Sequence, residues 1–158
     1  MKVNLYDKSR KKKIIGVISK AYKKELPKTK WKFDWKSLHA KNAKIFKLEY
    51  EDEIQGLVKM AQVDEGYYEM SNLELSPKNY GSKGEVNNVA GCLIAYECLL
   101  TFQLNKGNYK GHLAFTSKGE LIPHYEKNYF AELVYREKMI IFPKNAKKLI
   151  KKYLNLEI

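Results

Sequence analysis

The chain has 158 residues, of which 44% are hydrophobic and 13% aromatic, a composition typical of a globular protein and not of a disordered one. It contains no apolar run near the ~20 residues that span a bilayer and no signal-peptide-like stretch, so we expect a soluble, cytoplasmic protein without a membrane partner. The net charge of +12 is uneven, because residues 1–47 hold 16 Lys and Arg against three Asp and Glu. This imbalance indicates either an anionic partner or a well-solvated basic surface.

The cysteines and histidines do not suggest a metal site. Cys92 and Cys98 are six residues apart in one apolar segment, a spacing that places them on different faces of a helix and disfavours a mutual disulfide. The three histidines, His39, His112 and His124, are scattered and share no ligand spacing with the cysteines. We therefore expect buried thiols and no metal.

The first 43 residues are predicted to form a basic helix and a connector. Apolar residues recur at helical spacing over Lys11–Leu26, which predicts a helix. The connector Lys28–Lys36 alternates aromatic and polar residues, with aromatic side chains at Trp31, Phe33 and Trp35. That alternation is typical of a half-buried strand, and it also suits an aromatic and basic strip that binds nucleic acid.

Three strands follow, separated by short acidic turns. Lys44–Tyr50 alternates apolar and charged residues, and the segments Gln55–Val63 and Tyr67–Ser76 continue the pattern. Their short connections predict an antiparallel meander.

The third of these strands changes its apolar parity. Met70 lies on an even position, whereas Leu73 and Leu75 lie on odd ones. A bulge near Ser71–Leu73 would absorb the extra residue, and bulges are frequent next to functional sites.

The second half of the chain alternates helices with short strands. A polar loop, Lys78–Asn88, leads into Val89–Leu104, whose apolar residues on nearly every side predict a buried helix. The remaining predicted elements are a strand, a helix, one or two strands and an amphipathic terminal helix, at His112–Thr116, Glu120–Lys127, Leu133–Phe142 and residues 144–158. This order indicates a mixed α/β fold.

Two segments resemble motifs of the GCN5-related N-acetyltransferase superfamily, and the resemblance covers roughly Lys44 to Phe142. The first is Leu73-Glu74-Leu75-Ser76-Pro77 followed by Asn88-Val89-Ala90-Gly91-Cys92-Leu93, where the family has an apolar strand, a phosphate-binding turn and an apolar helix. The second is Leu121-Ile122-Pro123-His124-Tyr125-Glu126-Lys127-Asn128-Tyr129-Phe130, which is similar to the family's A-x-x-F-Y-E-K-x-G-F segment.

The phosphate-binding turn departs from the family pattern R/Q-x-x-G-x-G/A. Glu85, Asn88 and Ala90 stand at its three defining positions, and only Ala90 conforms. Asparagine tolerates left-handed backbone and caps helices well, so Asn88 is the expected substitute for the glycine.

The resemblance implies a single domain over residues 1–158. Its expected parts are the basic N-terminal helix and connector (1–43), an acyl-CoA-binding core (44–143) and an amphipathic C-terminal helix (144–158). The implied fold is α/β, with a mixed, mostly antiparallel central sheet flanked by helices and containing a splayed, bulged strand. The implied activity is acyl-CoA-dependent N-acyltransfer, in which a primary amine attacks the thioester of acetyl-CoA directly within a ternary complex.

The resemblance also assigns roles to residues. Tyr125 matches the family's general acid, and Glu69 or, as a second candidate, Glu74 is the expected base. The residues expected to bind coenzyme A are Leu73, Leu75, Tyr80, Lys83, Asn88, Val89, Ala90, Gly91 and Cys92. The acceptor amine is left open, since the acidic middle of the chain suits a cationic amine and the basic ends suit an RNA-linked one. An alternative is an inactive module of the same fold that binds nucleic acid or another anionic partner through its basic N-terminal region.

Overall fold

The structure is a computed structural model that describes residues 1–40 and 42–158. Over these residues the protein is α/β, with a nine-stranded, mostly antiparallel sheet and four α-helices. The strands are β1 Lys2–Asp7, β2 Lys12–Lys20, β3 Lys44–Tyr50, β4 Glu53–Asp64, β5 Tyr67–Leu75, β6 Val86–Asn87, β7 Leu113–Thr116, β8 Glu132–Tyr135 and β9 Lys138–Ile141. The helices are α1 Trp35–Leu38, α2 Val89–Leu104, α3 Ile122–Tyr129 and α4 Pro143–Leu149, the last continued by a π-helical segment Ile150–Leu154.

None of the helices in the described ranges has the length and apolar character needed to cross a membrane. The chain divides into two compact units. The first unit comprises Met1–Met60 and Asn72–Leu93, and the second comprises Ala61–Ser71 and Ile94–Ile158. The single domain expected from the resemblance stays a prediction.

The first unit contains strands in the order β6-β1-β2-β3-β4, with antiparallel pairing from β1 to β4. One face of β3 and β4 is covered by the segment that follows β2. That segment packs Ala21, Leu26 and Trp35 against Ile45 and Leu57, all of them at most 3% exposed. Burying such side chains stabilises this half of the sheet by about 1.5–3 kcal/mol for each large residue.

The predicted N-terminal helix is wrong, because residues 12–20 form β2. Ile14 and Ile18 are buried while Ile15 and Val17 are exposed, which is the two-residue period of a strand. The β-branched residues of this segment favour that conformation. Gly16 allows the strands to approach, since a Cβ there would lie 2.6 Å from the Cδ1 atom of Leu5.

The predicted strand in the aromatic connector is also wrong. Trp35 begins α1, and the side chain of Asp34 accepts a hydrogen bond from the Ser37 N–H at 3.3 Å, as an N-cap does. Trp35 is fully buried whereas Phe33 is 42% exposed, so the alternating aromatic residues do not share one buried face as they would on a strand.

The second unit combines the first part of β5 with β7, β9 and β8, in that order. β5 and β7 run parallel and share one register pair, Glu69 with Ala114. β7 pairs with β9, and β9 with β8, in antiparallel fashion.

The central predictions are confirmed. β3 and α2 have the predicted bounds, and β4, β5, β7 and α3 lie within a few residues of theirs. The antiparallel pairing of β3 with β4 is confirmed as well. α2 is 16 residues long and buried on most of its positions, as expected for a helix with apolar residues all round.

Candidate functional site

The loop between β5 and α2 is held by the buried side chain of Asn79, which is 3% exposed. Its Nδ2 donates to the carbonyl and the side-chain oxygen of Gln55, at 3.2 and 2.9 Å, and its Oδ1 accepts from the N–H of Val86 at 3.0 Å. Gly84 passes so close that a Cβ there would lie 2.6 Å from the Asn79 carbonyl oxygen. The loop therefore follows one defined path, which requires glycine at position 84.

Asn88, the last residue of this loop, has a left-handed backbone with φ 74°. Its carbonyl accepts a hydrogen bond from the N–H of Cys92 at 3.0 Å, so α2 starts directly after it. Left-handed backbone costs ordinary L residues ~1–2 kcal/mol, whereas glycine and asparagine adopt it readily. Asn88 thus has the conformation that a glycine would supply at this point.

The first turn of α2, Val89–Cys92, has small or buried side chains. The leading N–H groups of a helix have no partners within it and carry partial positive charge. Val89 is 1% exposed, Gly91 has no side chain, and Ala90 is half-buried. Cys92 is buried with its Sγ 3.8 Å from the Asn4 carbonyl oxygen, and burial raises the pKa of this thiol to about 12. Any phosphate contact here would therefore use backbone N–H groups.

The two loop residues expected to contact coenzyme A are in different settings. Lys83 is exposed in a 3₁₀ turn, Gly81–Lys83. The Tyr80 hydroxyl donates to Glu74 at 2.8 Å, and the Lys32 ammonium lies 5.4 Å from the centre of the Tyr80 ring. Burial, followed by the Glu74 carboxylate, raises the pKa of Tyr80 to about 12.

Glu74 is 5% exposed and accepts four hydrogen bonds. Its Oε1 accepts from the Phe33 N–H and the Trp35 indole N–H, both at 3.0 Å, and its Oε2 accepts from the Lys32 N–H at 2.6 Å and the Tyr80 hydroxyl at 2.8 Å. Burial disfavours the charge, but the four hydrogen bonds hold the pKa of this carboxyl below its usual value. Glu74 therefore anchors the aromatic connector within the first unit.

We expect Glu74→Gln to lower the free energy of unfolding by about 3 kcal/mol, because an amide keeps one acceptor oxygen and leaves donors facing its NH₂ group. Urea denaturation followed by circular dichroism measures the change. Glu53→Gln is the matched control, since the Glu53 carboxylate pairs with Lys78 in an exposed ion pair worth about 0–1 kcal/mol. A Glu74→Gln variant as stable as this control would contradict the anchoring role.

Leu73 and Leu75 flank Glu74 on β5 and are half-buried. The buried positions of the strand are Met70 and Glu74, four residues apart. Burial on β5 therefore keeps to even positions, as the two-residue period of a strand requires. The apolar pattern changes parity because one of these buried even positions holds the polar residue Glu74. The bulge expected near Ser71–Leu73 stays a prediction.

Glu69 lies on the part of β5 that belongs to the second unit. Its carboxylate accepts a hydrogen bond from the Tyr67 hydroxyl at 3.1 Å and forms an ion pair with Lys138. Burial, with the neighbouring Glu69 charge, raises the pKa of Tyr67 above its ordinary value. The phenol of Tyr67 is therefore neutral at physiological pH, and the second oxygen of Glu69, Oε2, forms no hydrogen bond within the described residues.

Tyr125 lies on α3 with its ring half-buried. It packs edge-to-face on Phe115 of β7 with ring centres 4.9 Å apart, and it also contacts His124 and Tyr129. Burial raises the pKa of Tyr125, so the phenol is neutral at physiological pH. Within residues 1–40 and 42–158 the hydroxyl has no hydrogen-bond partner, which leaves its proton available to a ligand.

The predicted residues fall into two sets. The loop, the start of α2 and Glu74 belong to the first unit, and Glu69 and Tyr125 belong to the second. Sequence reasoning missed Asn79, Tyr67 and Lys138. Asn79 stands right after Pro77-Lys78 in a loop singled out as functional, whereas the Glu69–Lys138 contact joins residues 69 positions apart and leaves no local signal.

A polar cleft of about 200 Å³ borders the loop in the first unit. Two ion pairs line it, Arg10 with Glu51 and Lys78 with Glu53. The hydrogen bonds from Ser9 and Arg10 lower the pKa of Asp7, the buried carboxyl on its wall. With Asp7 and Glu85 the lining holds four carboxylates against the two cations Arg10 and Lys78, so the cleft does not favour an anionic ligand.

Within the described ranges, no group of three or more His, Cys, Asp and Glu side chains is arranged to hold a metal ion. Comparison with known proteins adds no family assignment, because neither a protein-family model nor a curated protein sequence matches the chain.

Proposed function

We propose that the protein is an acyl-CoA-dependent N-acyltransferase that transfers an acetyl group to a primary amine. The observation that carries the proposal is the left-handed backbone of Asn88 directly before the buried helix α2. This conformation stands where the family that the sequence resembles has a glycine, and it leads the chain directly into a helix N-terminus, whose first N–H groups have no acceptor within the helix. Helix N-termini preceded by such turns bind phosphate groups.

In the proposed binding mode, the main-chain N–H groups of Val89, Ala90 and Gly91 bind the pyrophosphate of coenzyme A. The exposed ammonium of Lys83 adds a charged contact to a phosphate. Hydrogen bonds to Asn79 hold the loop in shape before the ligand arrives, which reduces the entropic cost of binding. Leu73 and Leu75 contribute main-chain groups of β5 to the pantetheine arm.

The proposed reaction forms one bond and breaks one. The amine nitrogen attacks the thioester carbonyl, the C–N bond forms, and the C–S bond of the tetrahedral intermediate breaks. The departing thiolate takes the proton of the Tyr125 hydroxyl, which the raised pKa keeps in place until that step. The proton lost by the attacking nitrogen goes to the base, and the Tyr125 phenolate regains its own from solvent.

For the base, the hydrogen bonding favours Glu69 over Glu74. Both oxygens of Glu74 are occupied by two donors each, so a proton could bind only after a hydrogen bond breaks. Glu69 uses one oxygen for both of its partners, Tyr67 and Lys138, and its Oε2 is left for a proton. We therefore propose Glu69 as base and Glu74 as a positioning residue.

Isothermal titration calorimetry with acetyl-CoA tests the proposal. We expect binding at physiological salt, preserved in Asn88→Gly and weakened about tenfold in Asn88→Val. Left-handed backbone costs a β-branched residue ~1–2 kcal/mol, so valine disfavours the backbone conformation that binding uses. A cost of about 1.4 kcal/mol corresponds to a factor of ten in affinity.

Asn155→Val is the matched control, because Asn155 also has a left-handed backbone, with φ 55°, but lies near the C-terminus. It should suffer a similar loss of stability and keep its affinity for acetyl-CoA. A parent protein that binds no acetyl-CoA, or an Asn88→Val variant that binds as the parent does, would refute this binding mode.

A further inference from the structure

The strands β1 and β2 present one open face in the first unit. Three antiparallel register pairs lie on it, Lys2 with Val17, Asn4 with Ile15 and Tyr6 with Lys13. Every one of these six side chains is exposed, the apolar ones notably so, with Tyr6 at 36%, Ile15 at 54% and Val17 at 41%. We call this surface the open strand face.

The open strand face continues a face that is covered on the neighbouring strands. Val17 pairs with Glu49 of β3, and alternation places Ile45 on the same side of that strand. Ile45 is fully buried under the segment that carries Ala21, Leu26 and Trp35. The cover ends before β1 and β2, so the sheet changes here from a packed core to an exposed surface.

The segment around the open strand face is strongly basic, and its few carboxylates are already engaged. Residues 1–47 contain three acidic residues against 16 basic ones. Asp7 is buried and accepts from Ser9 and Arg10. Glu25 pairs with Lys47 and accepts from the Tyr22 N–H, and Asp34 caps α1.

The lysines of the open strand face itself are not neutralised. Neither Lys2 nor Lys13 forms an ion pair with a carboxylate in the described part of the chain. The face therefore adds positive charge to a region that already has an excess of it, which favours an anionic occupant.

The chemistry of the open strand face fits nucleotides better than a plain anion. Tyr6 offers an aromatic ring between Lys13 on one side and Asn87 of β6 on the other, its register partners in the two neighbouring strands. Exposed amides at Asn4 and Asn87 can donate to and accept from base edges. By contrast, Trp35 of the aromatic connector is fully buried and Trp31 is half-buried against the same cluster, so neither offers an open ring face like that of Tyr6.

We propose that the open strand face binds single-stranded nucleic acid. A base stacks on Tyr6, neighbouring bases contact Ile15 and Val17, and the phosphates lie near Lys2 and Lys13. Exposed sheet faces with aromatic and basic side chains bind single strands in this way, since stacking tolerates any base and the lysines follow the backbone. This binding goes beyond the proposed acyltransfer and requires no acetyl-CoA.

Fluorescence anisotropy with a labelled 12-nucleotide oligouridylate tests the proposal. The parent chain should bind, with an affinity that falls as salt rises. Tyr6→Ser should weaken binding about tenfold, and Tyr6→Phe should retain it, because the stacking ring is kept. Lys2→Gln with Lys13→Gln should reduce the slope of log affinity against log salt by about 0.7 for each lysine.

Matched controls come from the second unit. Tyr135, which is 65% exposed on β8, is changed to Ser, and the exposed Lys127 is changed to Gln. Neither control should alter the affinity or the salt slope by more than the error. An oligothymidylate arm separates the two sources of the ligand, with equal binding indicating any single strand and weaker binding indicating RNA.

Three results would overturn the proposal. One is absence of oligouridylate binding at moderate salt, and another is an effect of Tyr6→Ser no larger than that of Tyr135→Ser. The third is competition by polyglutamate or by phosphatidylglycerol vesicles at the charge concentration of the oligonucleotide, which would identify an acidic protein or a membrane surface as the occupant. Calorimetry with acetyl-CoA is independent of all three, so the two proposals fail separately.

Discussion

A Tyr125→Phe variant is expected to bind acetyl-CoA as tightly as the parent protein and to lose about a hundredfold or more in acyl transfer. A positioned general acid contributes roughly 10²–10⁴ to a rate, and phenylalanine keeps the ring while removing the proton. The ring packs on Phe115, so the substitution should leave α3 in place. Release of the coenzyme A thiol, measured with a panel of primary amines, reports the rate, and calorimetry reports the affinity.

Tyr135→Phe is the control for this experiment, because Tyr135 is exposed on β8 and has no proposed role in the chemistry. A Tyr125→Phe variant with parental turnover would remove Tyr125 as the general acid. A variant with parental turnover per bound substrate but weaker acetyl-CoA binding would instead make the hydroxyl a binding contact. The two outcomes need to be separated because the role of general acid is assigned to Tyr125 by the resemblance alone. The structure contributes the burial of the Tyr125 ring and a hydroxyl without a hydrogen-bond partner in the described residues.

Local patterns predicted the middle of the chain well. The alternation in Lys44–Tyr50 and the long apolar run of Val89–Leu104 each fit only one type of element, and both have the predicted bounds. These segments carry enough information in their own residues to fix strand or helix, because the apolar period and the length agree.

The N-terminal region was mispredicted because its periodicity is ambiguous. Ile14, Ile15 and Ile18 satisfy a helical spacing, and Ile14, Gly16 and Ile18 also satisfy a strand. The choice is made by pairing with β1, which requires the small residue Gly16 opposite Val3 and close to Leu5. Tertiary contacts of this kind override local preference.

The anchoring role of Glu74 could not be predicted for a related reason. Its donors on the connector lie 39 to 42 residues earlier in the chain, so no spacing within the sequence joins them. The resemblance made Glu74 the second candidate for the base, because it follows the expected bulge in its strand. Its four hydrogen bonds instead favour a residue that holds two distant segments together.

For the candidate site, the sequence predicted which residues to consider but not the hydrogen bonds and ion pairs that they form. The resemblance selected Asn88 for its tolerance of left-handed backbone, and the structure has that conformation there. The Lys138 partner of Glu69 was not predicted, because an ion pair between β5 and β9, which lie on either side of β7, depends on the strand order. Strand order arises from packing, which a single sequence does not display.

The buried residue Glu97 on α2 should make a contribution to the stability of the protein that falls as pH rises above about 4.5. Its side chain is 0% exposed, and neither carboxylate oxygen has a hydrogen-bond partner in the described part of the chain. Burial raises the pKa of Glu97 well above the ordinary value of 4.5. The folded protein thus retains a proton that the unfolded chain releases, and raising the pH in this window favours unfolding.

The expected size of this effect is up to about 1.4 kcal/mol for each pH unit, while Glu97 stays protonated in the folded state. Glu97→Met removes the titrating group at similar volume, so its gain in stability over the parent protein should be larger at pH 8 than at pH 4.5. Urea denaturation at several pH values measures the difference. Glu120→Met, at an exposed position, should show no such pH-dependent gain. If the gain of Glu97→Met were the same at pH 4.5 and pH 8, Glu97 would have to be charged or fully compensated in the folded protein.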